Sequence, residues 1–228
     1  MRKSIAVILL LAEFAAVALS ATQLVATVIP PIGLAPGSQY QLIFVTNDSI
    51  QGVDSNIADY NTFVSSEAAL GIPSGLPSGV AWHAVASTGD GAVANVNAPS
   101  GSLPVYSTSG VEVASGGIYG GSLLAPLLSN QYGTDLAAGG VAYSGSTPFG
   151  FPDNPLGGFN NPTFGRLGQV NGTWLDESNN INGFGFQNLY ALSSPITFGT
   201  PEPATLTLLG WALFTIGGMR LLRRPRAA

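Results

Sequence analysis

The chain has 228 residues, room for one ordinary domain and its two ends. Charged side chains make up 8% of it, while 30 glycines and 16 prolines interrupt it and hydrophobic residues reach 46%, which excludes a helical bundle, a coiled coil and an ordinary disordered tail. Without cysteine there are no disulfides, no thiolate metal site and no cysteine nucleophile.

Charge is partitioned along the chain. The seven cations are Arg2, Lys3, Arg166, Arg220, Arg223, Arg224 and Arg226, so residues 21–200 hold Arg166 alone against ten aspartates and glutamates, a net charge of −9. Phosphate contact needs clustered lysine and arginine, so this stretch is not a nucleic-acid-binding surface.

Residues 1–20 predict a secretory signal peptide. Arg2 and Lys3 form its basic start, Ile5–Ala12 and Phe14–Leu19 its apolar core, and Ala18-Leu19-Ser20 places small residues where a signal peptidase needs them. Cleavage is expected before Ala21. Residues 21–39 are expected to be extended, broken at Pro30-Pro31 and Pro36-Gly37. Residues 40–46 (YQLIFVT) form a nearly continuous apolar run, the pattern of a buried strand. Ser55 or Asn56 is placed to cap a helix running to Leu70, with Ile57, Tyr60, Phe63, Val64 and Ala68 on one face and Gly71 as its stop.

Residues 71–80 read as a loop and Ala81–Thr88 as a second strand. Val105–Val113 reads as a hairpin around Thr108-Ser109-Gly110. Residues 114–183 are loop-rich, with short apolar islands at 122–128 and 141–144. Leu189–Leu192 and Ile196–Phe198 give the last strand signals. This order of one helix among scattered strands suits an α+β domain with a small core and long loops.

The C-terminal end has three parts. Pro201-Glu202-Pro203 is an extended stretch in which the prolines lack N–H donors. Ala204–Met219 then contains no charge over 16 residues, and reaching Leu222 gives 19, the short end of what spans a bilayer. Arg220, Arg223, Arg224 and Arg226 close the chain and are expected to stay cytoplasmic, holding the preceding domain outside. The tail, over residues 200–226, resembles the PEP-CTERM sorting signal of Gram-negative bacteria. The resemblance implies an exosortase, a membrane cysteine protease, as the partner that processes the chain near Pro201-Glu202-Pro203. The resulting division is a signal peptide over 1–20, an extracytoplasmic domain over 21–199 and a sorting signal over 200–228 (motif 201–203, transmembrane helix 204–222, basic tail 220–226).

The segments IFVTNDS, IADYNTFVSS, WHAVAST, LPVYSTSGVEVA and NLYALSSPITF, within residues 38–198, resemble the ectodomain of many secreted PEP-CTERM proteins and C-type-lectin-like and endostatin-like domains. The fold implied is a small C-type-lectin-like domain with one main helix, an antiparallel sheet and long loops, whose terminal strands, Tyr40–Thr46 and Leu189–Leu192 here, lie side by side with the helix packed on them.

Little in this stretch carries chemistry. His83 is the single histidine and sits in an apolar strand beside Trp82, where a satisfied or half-exposed strand histidine is expected in place of a catalytic base, since nothing in the sequence places a partner to orient it; a zinc site needs several His or Cys ligands and cannot be built. No phosphate loop or dinucleotide fingerprint occurs. Calcium needs only oxygen ligands, which makes Asp153, Asn154, Asp176 and Glu177 its candidates. The residues depart from the Glu-Pro-Asn and Trp-Asn-Asp motifs of calcium-dependent lectins, because Pro155 follows the amide and Leu175 stands at a ligand position. The expectation is therefore no cofactor and no catalysis.

The combined reading is an exported bacterial protein. It is anchored in the inner membrane before processing and then lies at the cell surface or in the extracellular matrix. Its domain is expected to be a non-catalytic binding module with extracellular polysaccharide as its partner. Two alternatives stay open: a structural biofilm or exopolysaccharide matrix component without a discrete ligand, and a hydrolase using Asp153 and Asp176 as its carboxylate pair.

Overall fold

The computed structural model describes residues 28–158, 160–177 and 182–199. The signal-peptide and sorting-tail assignments, with Ala18, Ser20, Ala21, Pro201, Glu202, Pro203, Arg220, Arg223, Arg224 and Arg226, lie outside the described residues. No helix among the described residues is long and apolar enough to cross a membrane.

Residues 28–38 carry no helix or strand. The chain then forms β1 (Gln39–Val45), β2 (Ile50–Gln51), helix α1 (Ile57–Gly71), β3 (Trp82–Ala84), a one-turn helix α2 (Ala94–Asn97), β4 (Val105–Ser107), β5 (Glu112–Ala114), β6 (Val141–Tyr143), β7 (Phe164–Arg166), β8 (Phe186–Ser193) and β9 (Ile196–Thr197). The expected helix is present with Asn56 as its cap, the Asn56 side chain accepting from the Ala58 N–H at 3.1 Å. The hairpin at 105–113 is present as β4 and β5, closed by Gly110 in the left-handed region at φ +81°. The expected strand over Ala81–Thr88 is shorter, pairing as a strand only at Trp82–Ala84.

The sheet runs β5-β4-β1-β8-β6-β7, with β2 and β3 also on β8 and β9 on β1. The two most apolar strand signals are direct neighbours: β1 and β8 pair antiparallel, Ile43 opposite Leu192 and Val45 opposite Tyr190. Ala191 and Leu192 also pair with β3, so both edges of β8 are occupied there. The expectation of an antiparallel sheet needs correction, because the sheet is mixed. β1 and β4 run parallel, as do β6 and β8. Each of these pairs is joined by a long excursion, through α1 and β3 in the first case and through β7 in the second. A connection of that length lets the chain re-enter in the same direction.

The continuous apolar runs follow from burial on both faces. Leu42, Phe44, Leu189 and Ala191 face one core with Tyr60, Val64 and Ala68 of α1 and with Trp82. Ile43, Val45, Tyr190 and Leu192 face the other core, which is covered not by a helix but by Ile118, Leu123, Leu127, Leu167, Trp174 and Leu175 from the loop-rich stretch. Each fully buried Leu, Ile or Phe contributes roughly 1.5–3 kcal/mol.

The helix ends differently from expectation. Gly71 is its last residue, with ordinary helical φ of −80°, and a 3₁₀ turn over Ile72–Ser74 follows. Gly75, at φ +105°, is the left-handed terminator. Gly71 serves close approach instead: a methyl group there would run into the Gln131 carbonyl and lie 2.5 Å from Leu76 Cδ1.

Candidate functional site

Among the sequence-predicted residues, the four calcium candidates lie in two neighbouring loops. The Asp153 carboxylate accepts from Thr163 Oγ1 at 2.6 Å and from Asn154 Nδ2 at 3.3 Å, and the Asn154 N–H donates to Thr163 Oγ1 at 3.1 Å. Asp176 follows the 3₁₀ turn Gly172–Trp174. Its carboxyl is raised above the usual carboxylate range, first by burial and then by the negative charge of Asp153. The fold therefore brings Asp153 and Asp176 into one electrostatic neighbourhood. Glu177 is drawn elsewhere, into an ion pair with Arg166 at 3.3 Å. Among the described residues, no group of three His, Cys, Asp or Glu side chains is arranged to hold a metal ion.

His83 sits in β3 and is half-buried. With Asn61, Val93, Val96 and Asn97 it lines an open cleft of about 430 Å³. Asn61 and Asn97 are fixed by each other and by Ala84. Asn61 Nδ2 donates to Asn97 Oδ1 at 2.8 Å, Asn97 Nδ2 donates to Asn61 Oδ1 at 3.0 Å and to the Ala84 carbonyl at 2.8 Å, and the Ala84 N–H donates to Asn61 Oδ1 at 2.8 Å. No carboxylate is hydrogen-bonded to His83 among the described residues, so nothing there orients it as a base.

A second cleft, of about 330 Å³, shares α2 with the first and is lined by Asn95, Ser100, Tyr119 and the glycines 101, 116, 117 and 120. The Tyr119 hydroxyl donates to the Ala94 carbonyl at 2.8 Å and to the Ala98 carbonyl at 3.0 Å, tying down both ends of α2. Burial pushes the Tyr119 phenol well above its ordinary value, so it remains a donor at any physiological pH. Phe149 neighbours these residues: its carbonyl accepts from Asn95 Nδ2 at 3.2 Å and its ring lies 3.4 Å from the position a side chain would take at Gly121. Phe149 and Phe151 project from one turn, and each is more than half exposed, at 55% and 58%. Gly150 between them is required by space as well as by φ +77°: a side chain there would lie 2.6 Å from Tyr119 Cδ1.

A third cleft, of about 420 Å³, is lined by Val53, Gly157, Gly158, Asn160 and Phe184. Phe184 and Phe186 are both exposed beside it. The turn that carries Phe184 is held by Tyr143, whose hydroxyl donates to the Asn182 and Gly185 carbonyls at 2.8 and 3.0 Å, and whose pKa burial pushes up to about 12.

None of the cleft residues except His83 was singled out by the sequence. Asn95, Ser100, Tyr119 and Phe149 come from separate loops, and a phenylalanine in a sequence signals core before surface. The one usable signal was the crowding of glycine at 116–121 beside Tyr119.

No family model matches the sequence, and no curated protein matches it.

Proposed function

We propose that the chain is an exported bacterial surface protein, sorted through its PEP-CTERM-like tail by an exosortase, and that its folded domain is a non-catalytic module that binds carbohydrate. The observation that carries the binding reading is the pairing of exposed phenylalanines with shallow clefts lined by asparagine, serine and glycine. Sugars present apolar C–H faces and many hydroxyls, and they are held by flat aromatic surface beside amide and main-chain groups. Against catalysis stand the lone His83 and an Asp153 carboxylate already engaged by Thr163, neither carboxylate of the Asp153–Asp176 pair lining a described cleft. The lectin-like form of the α+β fold belongs to the same proposal, supported by the adjacency of β1 and β8.

Sorting rests on residues 1–20 and 200–226 of the sequence. It is tested in a host with a matching exosortase by following a C-terminal tag. Wild-type chain loses the tag and moves outward from the inner membrane. Glu202→Ala keeps the tag and stays, because the carboxylate of the motif is gone while the apolar segment and the arginines remain. Equal processing of both forms reduces the motif to a linker. Binding is tested by a glycan array with the full chain, where the absence of any bound glycan favours the matrix role.

A further inference from the structure

We propose that the cleft between Asn95, Ser100 and Tyr119, with Phe149 beside it, is a subsite for an uncharged glycan chain. The proposal rests on the carbohydrate-binding reading and adds where the ligand sits and which chemical class it has.

The cleft is rigid on the side that matters. Tyr119 anchors both ends of α2, Asn95 fixes the Phe149 main chain, and Gly150 leaves no room for a side chain against the Tyr119 ring. The main chain that carries Phe149 is thereby fixed, so only the ring's own side-chain torsions are lost when a ligand stacks on it. The floor is open main chain: nothing lies within 4 Å of the position a side chain would take at Gly116 or Gly120. A sugar ring can therefore approach the backbone there. Asn95 uses its amide N–H on Phe149, and among the described residues its side-chain oxygen has no partner, leaving an acceptor for a sugar hydroxyl.

Charge selects the ligand class. Residues 21–200 carry −9 net, and their single cation, Arg166, is paired with Glu177. A polyanionic glycan would meet repulsion with no free guanidinium or ammonium to offset it, whereas an uncharged one meets none. A polymer fits better than a monosaccharide. Asn95 lines this cleft and its neighbours Val96 and Asn97 line the next, so a chain crossing α2 passes from one to the other.

The test is affinity electrophoresis of the full chain in mild detergent, through gels containing dextran, mannan or alginate. Dextran or mannan retards the wild type and alginate does not. Phe149→Ala weakens retardation by on the order of tenfold, the loss of one stacking platform. Gly116→Leu, which fills the open floor at a position without positive φ, weakens it similarly. Ile32→Ala, at an 84% exposed position far along the chain, leaves it unchanged. Retardation by dextran or mannan that survives both cleft variants, or is lost in Phe184→Ala instead, overturns this subsite and leaves the carbohydrate reading standing. Retardation by alginate alone overturns the uncharged class. Retardation by none of the three gels removes the subsite, and a blank glycan array alongside it removes the module reading too.

Discussion

Glu67 and Gln131 close a buried contact between helix α1 and a loop 64 residues further along the chain, Gln131 Nε2 donating to Glu67 Oε2 at 2.8 Å. Glu67 is 3% exposed and accepts a second bond from the Asp48 N–H at 3.0 Å, while Gln131 Oε1 accepts from the Asn47 N–H at 2.9 Å. The pair thus clamps the turn that links β1 to β2. Glu67→Ala strands one buried donor, Gln131 Nε2, and leaves the partly exposed Asp48 N–H to water, and is expected to cost about 1–3 kcal/mol in urea unfolding. The Glu67→Ala, Gln131→Ala double variant should cost clearly less than the sum of the singles, and strict additivity would refute the clamp.

The helix cap gives a smaller, cleaner number. Asn56→Ala removes the acceptor for the Ala58 N–H and the amide that donates to Asp59 Oδ2 at 3.0 Å. A loss of about 1 kcal/mol is expected, visible as a lower urea midpoint at unchanged slope.

Gly71 reverses the usual helix rule. Alanine in a helix is normally better than glycine by about 1 kcal/mol. Here the added methyl meets the Gln131 carbonyl, and backbone cannot swing aside as a flexible side chain can. Gly71→Ala is therefore expected to destabilise, by about 1–3 kcal/mol, the usual range for overpacking. A stabilised variant would show that the close approach is relaxed in solution.

Asp176 makes stability depend on pH in the less common direction. Burial and Asp153 raise its folded pKa above the unfolded value of 3.8, so the folded state holds the proton more tightly. Stability is then lost as pH rises from the unfolded value through the raised folded value, and it stays lost above. Asp176→Asn should raise the urea midpoint at pH 7 and leave it nearly unchanged well below pH 4. A carboxyl titration followed by NMR in Asp153→Asn should show the Asp176 pKa moving down.

What the sequence made legible follows from the size of each physical signal. β1 and β8 were readable because both of their faces are buried, giving apolar runs that no surface segment would tolerate. Helix α1 was readable from its Tyr60, Val64 and Ala68 stripe, yet Glu67 lies in that same stripe, a buried carboxyl group that periodicity cannot announce. β2 has two residues and β7 three, too short for any alternation to show. The parallel pairings were hidden because loop length alone does not say where a chain returns. Asp153 and Asp176 were legible as candidates from their chemistry, though not as neighbours. The Asn95–Tyr119–Phe149 cleft was not legible, since its parts meet only once the second core has been covered by loops.

Arg166 has one more consequence, for proteolysis. It is the single lysine or arginine between Lys3 and Arg220, so trypsin has one scissile bond in the whole stretch. That bond lies at the end of β7, where Arg166 is in register with Val141 and its side chain is held by Glu177. A protease must draw a strand out of the sheet to cut it, so cleavage reports the opening of β7 from β6, alone or with the rest of the domain. The folded domain should resist trypsin, and once that pair opens it should fall into two fragments. Glu177→Gln, which frees the guanidinium, should hasten the cut.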